Sequence, residues 1–128
     1  MSKQIVRTEA APAPFQGAPY SQAVAAGGLL FVSGQLGLKP GAVEMVPGGI
    51  TEQTEQVLAN LKAVLEAGGS SLDRIVKTTV FLQNLEDFAG MNEVYARVIG
   101  SDPPARSTVE VAKLPSGALV EIEAVATI

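Results

Sequence analysis

Arg106 lies in the stretch Pro103-Pro104-Ala105-Arg106-Ser107-Thr108-Val109-Glu110-Val111, at the mouth of a segment that otherwise reads as a strand. Its guanidinium is always charged and presents a planar fork whose best geometric match is a carboxylate held by two parallel hydrogen bonds. The carboxylates near it in sequence are Glu110, Glu121 and Glu123. Either one of these is its permanent partner, or the arginine is kept for a small acidic ligand; sequence alone leaves both readings open.

The residues the chain lacks narrow the chemistry further. With His 0 and Cys 0 there is no imidazole base, no thiolate and no zinc ligand set, which excludes zinc sites, Cys-His and Ser-His-Asp hydrolases and disulfide scaffolds. Serine is disfavoured as a nucleophile because no histidine exists to activate it and no Gly-x-Ser-x-Gly elbow is present. Catalysis would fall to carboxylates, tyrosine, lysine, arginine, hydroxyls or backbone groups, with no metal and no cofactor expected. A net charge of −4 argues against nucleic acid as a partner, since an acidic surface repels a polyanion.

Glu9 and Pro12 to Pro14 stand where a signal peptide needs its apolar run, and the longest apolar stretch, from Ala23 to Val32, is broken by two glycines and too short to span a bilayer. A soluble cytoplasmic protein, with no membrane span, is the expectation. At 128 residues, 47% hydrophobic and 17% charged, the chain reads as one domain, 1–128.

The elements that must position these residues follow from periodicity. Lys3 to Thr8 alternates as a strand, and Pro12, Pro14, Gly17 and Pro19 force a long irregular connection. Gln22–Ala26 and Leu29–Ser33 around Gly27-Gly28 predict a hairpin, because paired glycines supply the positive φ of a tight turn. Val43 to Val46 is a candidate for local pairing. From Thr51, a plausible N-cap, the period becomes helical, with Val57, Leu58, Leu61, Val64 and Leu65 on one face and Gly68-Gly69 as the stop. Ile75–Leu82 is apolar on both faces and should be interior to a sheet, with Val76, Thr78, Val80 and Leu82 set against Ile75, Lys77, Thr79 and Phe81. A second helix is predicted over Leu85–Ile99, capped by Asn84 and Asp87, with Phe88, Met91, Tyr95 and Val98 as its buried stripe.

Strands over Ala105–Leu114 and Leu119–Thr127 complete the pattern, joined through Pro115-Ser116-Gly117-Ala118. Val109 and Val111, with Val120, Ile122, Ala124 and Ala126, are expected to face the helices. Arg106, Thr108, Glu110, Glu121 and Glu123 are then expected on the opposite face. Two helices on one face of a mixed sheet make an α+β two-layer domain. The other face would mix charged residues with Ile75, Phe81, Ala112 and Val125, as oligomer interfaces do.

Five ordered motifs carry a family resemblance: Ala18-Pro19-Tyr20-Ser21-Gln22-Ala23, Val32-Ser33-Gly34-Gln35, Met91-Asn92-Glu93-Val94-Tyr95, Pro104-Ala105-Arg106-Ser107 with Val109-Glu110-Val111, and Glu121-Ile122-Glu123-Ala124. In that order they resemble the RidA (YjgF) family from about Ala18 to Ala126. The resemblance implies a chorismate-mutase-like α+β fold and a homotrimer with clefts between subunits. It also implies hydrolysis of enamine or imine intermediates, such as 2-aminoacrylate or 2-aminocrotonate from pyridoxal-phosphate-dependent dehydratases, to 2-keto acids and ammonia. By resemblance, Arg106 clamps the substrate carboxylate and Glu121 orients or deprotonates the water; the bland reading of Glu121 is a solvated glutamate on a sheet face.

Four further positions have two readings each. Tyr20 is either an amphipathic packing residue with a wet tip or the wall of a cleft. Ser33-Gly34 is either a strand-ending turn or a place where a ligand nears the backbone. Asn92 lies off the helix's apolar stripe, so it faces solvent unless it supports the cleft. Phe88 reads as core rather than ligand wall. Thr108 stands where the family commonly has Cys, which removes any thiol role, and Gly37 to Gly41 departs from the family's proline-led loop. Two rival functions stand beside deamination: a non-catalytic binder of small carboxylates or 2-keto acids, and an RNA-directed activity.

Strand geometry bears on how the site is assembled. With Arg106 and Glu121 each opening a strand and the strands antiparallel, the two residues are expected near opposite ends of the sheet, roughly 15 to 20 Å apart along the strands. One subunit could not then present both to one small substrate.

Overall fold

The computed structural model describes residues 2–128 as a six-stranded mixed sheet with two helices on one face. The strands are β1 (Gln4–Val6), β2 (Ala23–Ala26), β3 (Leu29–Gln35), β4 (Ile75–Leu82), β5 (Ala105–Glu110) and β6 (Val120–Thr127), in the spatial order β1-β2-β3-β6-β4-β5. Only β4 and β5 run parallel. The interior place expected for β4 follows from this order. β6 lies between β3 and β4, so β5 and β6 are antiparallel without touching.

Helix α1 (Ile50–Ala67) buries Val57, Leu58, Leu61, Val64 and Leu65 completely, as the 3.6-residue period requires. Its N-cap is Gly49 rather than Thr51. Glu52 makes the difference: from the third helical position its Oε1 reaches back to accept from the Gly49 N–H at 2.8 Å. Helix α2 (Phe88–Ile99) follows a 3₁₀ turn, Leu85–Asp87, in which Asn84 Oδ1 accepts from the Glu86 N–H; Asp87 caps nothing with its side chain. Its buried residues are Met91 and Tyr95, as predicted, with Val94 and Ile99 in place of Phe88 and Val98. Phe88, the first residue of α2, is 41% exposed, with the Arg106 guanidinium carbon 5.7 Å from its ring centre.

Val43 to Val46 forms no strand and makes a single tie, Val46 N–H to the Gly37 carbonyl at 2.8 Å. One side chain makes most of the hydrogen bonds that hold the start of the Pro-rich connection. Buried Gln22 accepts from the Thr8 N–H through Oε1 and donates from Nε2 to the carbonyls of Thr8, Ala11 and Pro12.

Two strands depart from the facial assignments expected. Ile75 registers with Ala126 and Lys77 with Val125, so one extra residue is accommodated between them; this bulge turns Ile75 into the core and leaves Val76 exposed. On β6 the alternation holds, with Val120, Ile122, Ala124 and Ala126 all buried. On β5 it is inverted. Arg106, Thr108 and Glu110 register with Thr78, Val80 and Leu82, which are fully buried on the helix side, while Val109 is 42% exposed on the other face. β5 is an edge strand at the margin of the helical layer, so its polar residues sit at a rim and its alternation does not report which side is the core. The strand also stops at Glu110, and a 3₁₀ turn at Pro115–Gly117 precedes β6.

Candidate functional site

The predicted site residues fall into two clusters on opposite faces of the sheet. Arg106 belongs to the first, at the rim where β4, β5 and α2 meet. Its guanidinium carbon lies 4.7 Å from the centre of the Tyr95 ring and 5.7 Å from that of Phe88. No carboxylate neutralises it: among the described residues the ion pair formed is Arg97–Glu55, at 3.1 Å. Glu110 instead accepts the Leu85 N–H at 2.8 Å, tying β5 to the 3₁₀ turn that precedes α2. Glu121 and Glu123 lie on the far face. Within the chain, none of the three glutamates is paired with Arg106.

Arg106 lines a pocket of about 340 Å³ together with Asn92, Tyr95, Ala96, Ile99 and Pro104. Asn92 is half-buried rather than solvent-facing. Its Oδ1, like Thr108 Oγ1, is shielded from solvent and has no hydrogen-bond partner. Buried polar atoms of this kind cost stability when left unmatched, and one beside a pocket is a place where a ligand, water or partner can complete the bond; Thr54 Oγ1 in α1 is unmatched as well, away from this rim.

Glu121 belongs to the second cluster, on the open face. It sits across from Phe81 near the start of β6 and is half-buried. Burial pushes its carboxyl above the usual carboxylate range, and repulsion from Glu123 on the same face adds to this. Space for the side chain comes from Gly34, where a Cβ would stand 2.0 Å from Glu121 Oε2. Gly34's missing side chain thus admits the protein's own carboxylate, not simply a ligand. Gly34 and Ser33 form a bulge, two residues set against Glu123 alone. Ser33 Oγ donates to the Ser21 carbonyl at 2.6 Å and Ser33 N–H to the Gln22 carbonyl at 3.0 Å. Tyr20 is 43% exposed beside them, its hydroxyl accepting from the Phe15 N–H.

The two clusters do not meet within one chain. Arg106 registers with Thr78, and Thr78 with Ala124, three residues along β6 from Glu121. The offset along the strands is therefore about 10 Å, not 15 to 20 Å, with about 10 Å more across two strand spacings. The sheet itself then separates them, because Thr78 marks the core side and Phe81 the open side.

Sequence reasoning missed the aromatic seat under Arg106 and the staple made by Gln22. A tyrosine four residues after Met91 on an apolar helix face did carry a signal, since a buried hydroxyl demands a partner. No equivalent signal marks Gln22. The described residues contain no helix long and apolar enough to cross a membrane.

The profile of the family described as Endoribonuclease L-PSP matches residues 8–128. A mouse protein named 2-iminobutanoate/2-iminopropanoate deaminase is 43% identical over 124 residues, covering 97% of this chain and 90% of its own. The crystal structure of RidA from an Antarctic Psychrobacter superposes with a TM-score of 0.91 at 45% identity, covering 98% and 99% of the two chains. That of TdcF from E. coli with bound serine superposes with a TM-score of 0.89 at 39% identity, covering 98% of each.

Proposed function

The chain belongs to the RidA (YjgF) family, and from that premise we propose that it hydrolyses 2-imino acids, formed from enamines such as 2-aminoacrylate and 2-aminocrotonate, to 2-keto acids and ammonia. The observation that carries this reading is an uncompensated guanidinium facing a pocket beside buried, unpartnered acceptors. Arg106 clamps the substrate carboxylate through two parallel hydrogen bonds. Asn92 Oδ1 accepts an N–H of the imine, and Thr108 supports the carboxylate end. Water adds to the imine carbon, the carbon–nitrogen bond of the resulting carbinolamine breaks, and ammonia leaves. Glu121 takes a proton from the attacking water and passes it to the imine nitrogen. It then takes the carbinolamine hydroxyl proton as the carbonyl forms and delivers it to the departing nitrogen, so that both protons of the water leave with the ammonia. A carboxyl with a raised affinity for protons is suited to both halves of that transfer.

Because Arg106 and Glu121 lie on opposite faces, the site is shared between subunits of a cyclic homotrimer. The β5–α2 rim of one chain lies over the open face of the next, and Tyr20, Ser33 and Gly34 of that second chain line the cleft beside its Glu121. The open face has the character of an interface: Ile5, Val24, Phe31 and Val125 form an apolar row across four strands, and Ile5 and Phe31 are 43% and 46% exposed. A heterologous contact of this kind closes into a ring with three equivalent clefts.

The mouse relative's name and the serine bound by the E. coli neighbour support a small amino-acid-derived substrate. Such a protein would act in the cytoplasm, beside the dehydratases that release enamines. Non-catalytic 2-keto-acid binding is the second reading, but a binder gains nothing from Glu121 near a carboxylate ligand, since like charges repel. An endoribonuclease activity, as in the family description, is opposed by the net charge of −4.

The test couples the purified protein to a threonine dehydratase and follows 2-oxobutanoate release in a buffer that slows spontaneous hydrolysis. Faster release is expected. An unchanged rate together with saturable 2-oxobutanoate binding would make the protein a binder instead.

A further inference from the structure

An arginine without a carboxylate partner has four rotatable side-chain bonds and nothing ionic to stop them turning. Arg106 nevertheless has a defined seat. Its guanidinium lies over Tyr95, 4.7 Å from the ring centre, and Tyr95 is only 5% exposed. The ring is tethered in turn: its hydroxyl and Thr78 Oγ1 are 2.7 Å apart in a buried hydrogen bond, and Thr78 is fully buried. Thr78 is also the residue directly opposite Arg106 in the β4–β5 register. A closed triangle thus links β4, α2 and β5 through Thr78, Tyr95 and Arg106.

Stacking differs from ion pairing in what it leaves free. All five N–H donors of a guanidinium lie in its plane, so contact with an aromatic face uses none of them, whereas a carboxylate partner would occupy the fork. We infer that Tyr95, tethered by Thr78, is the positioning residue that holds the Arg106 fork open for a carboxylate. This rests on reading Arg106 as the carboxylate clamp. It adds why the clamp can remain charged and ordered without a counter-ion from its own chain.

The test is 2-oxobutanoate binding by calorimetry, which does not depend on turnover. Tyr95→Leu removes the ring and should weaken binding about tenfold. Tyr95→Phe keeps the ring but strands the Thr78 hydroxyl; it should lower the melting temperature while leaving affinity within about threefold of wild type. Affinity that follows melting temperature across the variants, or wild-type affinity in a folded Tyr95→Leu protein, would overturn the inference. If Tyr95→Leu does not fold, the unaltered protein decides by NMR. The Arg106 side-chain resonances should be shifted upfield by the ring current, both free and with 2-oxobutanoate bound; unshifted resonances overturn the proposal. Wild-type binding lost in Arg106→Ala, without imine hydrolysis, would refute the proposed reaction and spare this inference. Equal binding by Arg106→Ala and wild type would refute the clamp and the inference together.

Discussion

The rim around Arg106 and the open face around Glu121 hold opposite charges by opposite means. Arg106 is placed by an aromatic ring that leaves its donors unused, between acceptors that have no partner. Glu121 is placed by a gap: Gly34 gives the carboxylate room, and half-burial beside Glu123 makes its negative charge unfavourable. Each region is under-compensated alone, and the sheet keeps the two from relieving each other within a chain. The contrast teaches that electrostatic incompleteness on two faces of one domain is a reason to look across a subunit boundary.

The hardest test of that contrast mixes two inactive proteins. Arg106→Ala and Glu121→Ala chains, denatured and refolded together in equal amounts, should regain activity in about one cleft in four, because a cleft works only where an intact Arg106 meets an intact Glu121 of the neighbouring chain. No recovery from verified mixed trimers would rule the shared site out.

Glu121→Gln should lower turnover by about 10² to 10⁴ while 2-oxobutanoate binds as in wild type. Wild-type turnover should fall on the acid side with a midpoint above the usual carboxylate range, since the base must be ionised and its proton affinity is raised. An equal loss of binding and turnover in the variant would make Glu121 structural. Arg106→Lys keeps the charge and discards the fork, so it should lose affinity about 10- to 100-fold. Near wild-type turnover there would sink the clamp.

Gly34→Ala adds a methyl where the Glu121 carboxylate lies. The obstructed atoms are the far end of a flexible side chain, so the fold should survive while kcat falls about tenfold through misplacement. The smallest effect is on stability. A carboxyl whose folded-state proton affinity exceeds its unfolded one costs stability once pH rises through both values. Glu121→Gln should therefore melt no lower than wild type at neutral pH, and relatively higher there than at low pH, as scanning calorimetry would show.

Much of the architecture was legible because periodicity is local. The α1 stripe, the β2–β3 hairpin and the burial of alternate β6 residues all follow from side-chain spacing over one or two turns or a few strand residues. Capping was less legible, since Gly49 and Thr51 compete for one role and the decision rests on whether Glu52 can reach back. Phe88 failed for a different reason: its spacing suits the core, but it opens α2 and its ring lies beside the Arg106 guanidinium, a neighbour that spacing along the helix cannot reveal.

The sequence by itself determined the excluded chemistries, the order of helices and strands, and the five motifs that identify the family. Only the tertiary structure decided that β5 turns Arg106 toward the helix side, that a bulge brings Ile75 inward, that Tyr95 rather than a glutamate seats the guanidinium, and that Glu121 lies beyond the sheet from it. Alternation along a strand states that two faces differ. Which face is the core, and which side chains become neighbours, depends on strand order and register, set by contacts between residues distant in the chain.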